Sequence, residues 1–333
     1  MAEIKDMQRS EIKFFAALWI LFVSGCGGLL QSSSVDIKGL EPEAAQIIRD
    51  GLADNDPQVR TNTIEVVASA GLNEFMPQVQ RLLRDDFVPV RFAAALAVGD
   101  MVYQPAKSEV VRLLEATDEN TRIAAAYAAA KLGSPEKLDF IRKAALSKDQ
   151  IIRANAVVLL GKSGDESVLK LLSWAQTDKD SDDKVRFQAV EARARLGDEK
   201  IFPKLWAIVL SSYADDRIMG IKAMGALGTE KAKDVLATKL DDEILEVQLA
   251  AAEQLGMLGD KSGEKVVLDV FRKNLTAGMD EQGVDRVNVL SALAIGRLRT
   301  QRLIIFLPSL LKNESKSVRL AAAKAVFQYI TGK

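Results

Sequence analysis

The sequence predicts an all-α protein, an α-solenoid of about nine helical hairpins, and three observations carry that reading. Arg60, Arg91, Arg122 and Arg153 stand 31 positions apart in near-identical surroundings. The beat continues through Arg186, Arg217, Gln248, Asn288 and Arg319, with steps of 33 and 40 marking two small insertions. The neighbours keep the same phase. Three residues after each beat the side chain is small (Thr63, Ala94, Ala125, Ala156, Ala189, Gly220, Ala251, Ser291 and Ala322). Eight after it stand Ala68, Gly99, Ala130, Gly161, Ala194, Gly225, Gly256 and Gly296, with Phe327 the one large exception. Internal repeats of this period build solenoids, in which each unit buries its apolar face against the next. Small side chains on one helical stripe let neighbouring axes approach closely.

Local chemistry justifies each element of the unit in turn. Asp56-Pro57, Asp118, Asp149 and Asp183 lie ahead of a beat, where aspartate accepts from free first-turn N–H groups and proline costs no hydrogen bond. An apolar residue then precedes most beats (Val59, Val90, Ile152, Val185, Val247, Val287 and Val318). Eleven residues after the beat, Gly71, Gly133, Gly164, Gly197, Gly228 and Gly259 supply the left-handed backbone that ends a helix. The beat helix therefore runs about three turns. Second helices are expected over 105–116, 135–147, 165–177, 199–211, 229–240, 260–275 and 300–312.

The stretches DPQVRTNTIEVVASAG (56–71), DENTRIAAAYAAAKLG (118–133) and DKVRFQAVEARARLG (183–197) resemble the Asp-x-x-Val-Arg-x-x-Ala-x-x-x-Leu-Gly signature of the HEAT-like repeats named after phycobilisome lyase subunits. The resemblance covers roughly residues 40–333, with Gln248 and Asn288 departing from the arginine. It implies a right-handed superhelix whose second helices line the inner, concave side. It implies no particular activity, since the signature residues build the stack.

The N-terminus predicts export. FFAALWILFV (14–23) follows Arg9 and Lys13 and leads into Val23-Ser24-Gly25-Cys26, which resembles a bacterial lipobox ending at the cysteine that receives lipid. Cys26 is the only cysteine, so no disulfide partner or thiolate metal cluster exists for it. The competing reading is an uncleaved anchor from Phe14 to about Leu30, at the short edge of what spans a bilayer. Met7 offers an alternative start to a leader that otherwise opens with Glu3 and Asp6. The expected organisation is a leader at 1–25, a Gly/Ser-containing tether at 26–40 and the solenoid at 41–333. The glycine after Cys26 favours an outer membrane, where the cell has one.

Chemistry is mostly excluded. The chain has no histidine, which removes histidine bases, serine and cysteine triads and the commonest zinc and haem ligands. No glycine-rich phosphate loop is present, so neither an enzyme nor a cofactor is expected. Asp178, Asp180 and Asp182 alternate like the start of a calcium loop, but Asp183 and Ala189 occupy the positions that such a loop gives to glycine and glutamate. The 45 basic and 46 acidic residues argue against nucleic acid, whose binders carry a basic excess. Counting 21 residues on from the first four beats gives Arg81, Arg112, Lys143 and Trp174, with Trp206 one short of the same phase. A basic row ending in two tryptophans is a contact track for a protein or peptide, since Trp and Arg dominate binding energy. The competing reading is a solvated helix face with tryptophans filling the gap at the insertion. The expected function is a membrane-tethered binding or assembly scaffold of the bacterial envelope; the alternative is an accessory subunit of a lyase-like enzyme.

Overall fold

The computed structural model describes residues 35–332, in which eighteen α-helices alternate along the chain and no strand occurs. The first hairpins comprise α1 (Glu41–Leu52), α2 (Pro57–Ala70), α3 (Met76–Arg81), α4 (Val88–Asp100), α5 (Lys107–Leu113) and α6 (Glu119–Lys131). There follow α7 (Leu138–Ala144), α8 (Gln150–Ser163), α9 (Leu169–Thr177), α10 (Asp183–Arg195), α11 (Phe202–Val209) and α12 (Ala214–Leu227). The last are α13 (Glu230–Thr238), α14 (Leu245–Met257), α15 (Glu264–Arg272), α16 (Glu281–Leu298), α17 (Leu307–Leu311) and α18 (Lys316–Thr331). The even-numbered helices carry the beat. The odd-numbered second helices are shorter than expected, because most begin with a 3-10 turn, such as Gln104–Ala106 ahead of α5.

The caps fall where the sequence placed them, with one shift. Asp56, Asp118 and Asp149 accept from first-turn amides, and at the insertion Asp182 caps α10 in place of Asp183, its carboxylate accepting from Val185 at 2.8 Å. All six predicted glycines, from Gly71 to Gly259, have positive φ.

In Arg60, Arg153 and Arg217 the beat guanidinium reaches back to an upstream carbonyl and forward to an aspartate of the next entry loop, whereas Arg91 and Arg319 keep the two upstream carbonyls five and six residues back. Arg60 donates to Asp54 O at 2.7 Å and to the Asp85 carboxylate at 2.8 Å. Arg217 does the same with Ser211 O and Asp242, and Arg153 with Ser147 O and Asp178. Gln248 keeps the upstream half of the pattern, donating to Asp242 O at 2.6 Å.

The even-numbered helices pack on one another in chain order, and the row then closes. α18 packs against α1 and α2, so the nine hairpins form a ring. Closure reuses the parts of the repeat. Asp54 stands 31 residues before Asp85, and the hydrogen bond that an arginine would bring it from a preceding hairpin comes from Lys316 of the last one, at 2.7 Å. Phe327, the large exception at a small position, meets Phe75 edge-on at 6.1 Å and is itself buried. One apolar cluster runs unbroken across this seam, from Ile48 and Leu72 to Ile295 and Val326.

Two expectations are corrected. The beat helices line the inside and the second helices form the outer wall, because closure of the row turns the charged stripe of the beat helices onto a central lumen. The ordered body also starts before residue 41: Val35, Ile37 and Leu40 pack against the core, so the last part of the expected tether belongs to the ring. Cys26, the leader and the rest of the tether lie outside the described residues. Among the described residues, no helix is long and apolar enough to cross a membrane.

Candidate functional site: the outer wall and the central lumen

The five residues of the expected track all lie on the outer wall and are exposed. Arg81, Arg112 and Lys143 end α3, α5 and α7, where a cation complements the helix dipole. Trp174 on α9 also serves the ladder, since the Arg153 guanidinium stacks over its ring at 5.2 Å, as Arg60 stacks over Phe87 and Arg122 over Phe140. Covering a ladder arginine is thus a recurrent duty of an aromatic on this wall. Trp206 has Phe202 beside it, at 6.2 Å between ring centres, and is 44% exposed. Leu210 and Tyr213, which sequence reasoning missed, follow it at 60% and 73% exposure. A four-residue helical step from Trp206 was the signal available for Leu210.

The acidic loop at 178–183 is occupied by the fold. Asp178 pairs with Arg153 at 2.9 Å and Asp182 caps α10, while Asp180 points to solvent.

The lumen is the second candidate, and the sequence pattern gave no expectation of it. It encloses about 610 Å³ between α2, α4, α8, α10, α16 and α18. Six of the nine residues that stand five after a beat line it: Glu65, Leu96, Val158, Glu191, Leu293 and Lys324. Several of its charges neutralise one another. Asp100 of α4 pairs with Lys162 of α8 at 2.9 Å and accepts from the Tyr127 hydroxyl of α6 at 2.7 Å, tying three hairpins together. Glu191 pairs with Arg195 one turn on. Arg297 donates to Gln328 at 3.1–3.3 Å when that amide is oriented to accept.

Glu65 and Lys324 form no hydrogen bond or ion pair among the described residues. Glu65 is open to the water of the lumen yet ringed by protein, and that enclosure pushes its carboxyl above the ordinary value against the pull of Lys324, Lys162 and Lys222. The same desolvation pushes the Lys324 ammonium down, outweighing Glu253 and Glu65. Burial raises the Tyr127 phenol far above its usual range, helped by Asp100. The described residues contain no group of three or more His, Cys, Asp or Glu side chains placed to hold a metal.

Comparison with known proteins finds the same repeat. The family model described as HEAT repeats matches residues 76–156 and 143–219. Residues 76–219 thus match HEAT repeats. Among solved structures it is similar to human deoxyhypusine hydroxylase, at 17% identity over 88% of this chain and 98% of that one, with a TM-score of 0.36. It is also similar to the complex of CpcE and CpcF of phycocyanin lyase from Nostoc sp. PCC7120, at 16% identity over 75% and 93%, with a TM-score of 0.41. At such identities and scores neither likeness bears on activity. No curated protein matches the chain.

Proposed function

We propose that this HEAT-repeat ring is a binding scaffold of the bacterial envelope, tethered to the membrane through lipid on Cys26, and that its outer wall holds a protein or peptide partner. The observation that carries the reading is the surface around α9 and α11. Trp206, Leu210 and Tyr213 expose large apolar area on and just after α11, on the same wall whose earlier second helices α3, α5 and α7 expose Arg81, Arg112 and Lys143. Contiguous apolar surface rimmed by charge marks interaction sites, and aromatic anchors dominate their energy. The chain has no histidine and one cysteine, so the reading needs no chemistry from it. Envelope proteins should co-purify with the wild-type chain and be lost when Trp206, Leu210 and Tyr213 are changed together to serine, with the ring still folded by circular dichroism. Retention of the same partners by that variant would exclude this surface. Arg112, Lys143 and Trp174 changed together to alanine test the basic column in the same assay.

A further inference from the structure

We infer that a recess in the outer wall, between α9 and α11, takes a carboxylate of the partner protein set beside a large apolar side chain, with Arg186 as its anchoring cation. The inference deepens the reading of that wall as a protein-binding surface and rests on it. The repeat itself shows what a beat guanidinium binds. Arg60, Arg153 and Arg217 each take the aspartate 25 residues on, at 2.8–2.9 Å, and Arg60 grips Asp85 with two donors. Ser211 stands in that place for Arg186. Asp216, in the same stretch, is held by the Ser211 hydroxyl at 2.7 Å instead.

Arg186 is thereby left open. Arg91 and Arg122 also lack the forward aspartate, with Ala116 and Ser147 in its place. Yet Arg91 bonds two upstream carbonyls at 2.8 and 2.9 Å and donates to Thr121, while Arg122 stacks over Phe140. Arg186 reaches its upstream carbonyls at 3.4 Å, and Asp183, one turn back, lies 3.5 Å away with its side chain 88% exposed, a pair worth little in water. The Arg186 side chain is 42% exposed, against 6–11% for the three arginines that hold an aspartate. It lines a recess of about 330 Å³ to which Phe187, Val190 and Ile208 give apolar surface, room for one large side chain. Lys204 joins Arg186 in the lining, so its charges are two positive against the single negative of Asp183. A carboxylate cancels that surplus; an ammonium would add to it.

Methyl-resolved NMR titration of the full chain with acetyl-Leu-Phe-Glu-amide tests the assignment, with the glutamine and lysine counterparts as controls. The glutamate peptide should shift the Val190 and Ile208 methyl resonances saturably. The glutamine peptide should bind about tenfold more weakly, the loss expected for a hydrogen bond to a charged group, and the lysine peptide more weakly still. Arg186→Met should reduce the glutamate peptide to the level of the glutamine one. Ser211→Asp combined with Asp216→Val gives this hairpin the residues found at Asp85 and Val90 and at Asp242 and Val247, and should do the same by supplying the carboxylate internally. Changing Trp206, Leu210 and Tyr213 together to serine should leave the peptide bound, so the recess and the exposed patch fail separately. No shift at Val190 and Ile208, equal binding of the glutamate and glutamine peptides, or undiminished binding by Arg186→Met or by the double variant would each overturn the assignment.

Discussion

Arg217 shows what the beat residue does for this molecule. Both it and its partner Asp242 are almost fully enclosed, at 6% and 7% side-chain exposure. Changing Arg217 to Met leaves a buried carboxylate with the Ile244 amide, at 3.2 Å, and Lys239, at 3.7 Å, and should cost about 3 kcal/mol, read from urea unfolding. A cost no larger than that of an exposed pair would contradict the ladder role. Asp85 carries the matching pH dependence. Burial pulls its carboxyl up, but hydrogen bonds from Arg60 and the Phe87 amide outweigh burial and hold it below its ordinary 3.8. A depressed folded value contributes stability above the unfolded value and loses it as pH falls through the folded one. Asp85→Asn should therefore be less stable near neutrality, and the gap to wild type should close below about pH 4. Parallel melting-temperature curves down to about pH 2 would show that Asp85 does not titrate this way.

At the scale of the element, two kinds of glycine do different work and can be told apart. A Cβ on Gly161 would meet Ala192 Cα at 2.6 Å, where α8 and α10 approach through backbone. Gly164 has open space around it but φ of +79°. We expect Gly161→Ala to cost about 1–3 kcal/mol through overpacking, and asparagine there to be worse. At Gly164 alanine should cost about 1 kcal/mol and asparagine less, because asparagine tolerates the left-handed cap. Thermal unfolding of the four variants checks the ordering; asparagine equal to alanine at both sites would contradict it. The beat helices, their caps and this small stripe were legible in the sequence, because each rests on contacts within a hairpin or to its neighbour. The second helices were read too long, since nothing in a 3-10 turn such as Gln104–Ala106 distinguishes it from the first turn of an α-helix by pattern alone.

At the scale of the whole molecule, closure was not legible, and the reason is physical. Nine hairpins close when each turns about 40° relative to the last, a sum of small rotations that no single residue encodes. Only the ends betray it. Phe327, large where eight counterparts are small, faces Phe75 across the seam, and Asp54, a ladder aspartate with no hairpin before it, is met by Lys316. The charged column five residues after each beat was equally visible as spacing, but its meaning depends on which side of the hairpin faces in. Mass analysis of the mature N-terminus should find diacylglycerol on Cys26 if the proposed tether is correct; an intact leader would replace lipidation with a retained anchor.

The ring itself is tested by distance. With Cys26 changed to serine, spin labels on cysteines introduced at Asp54 and Lys316 should report one short separation by pulsed electron resonance, because those side chains meet at 2.7 Å across the seam. An open row of nine hairpins at the usual 8–10 Å spacing would hold its ends roughly 65–80 Å apart along the arc. A single narrow, short distance is the result expected of a closed ring; a long or broad distribution would contradict it.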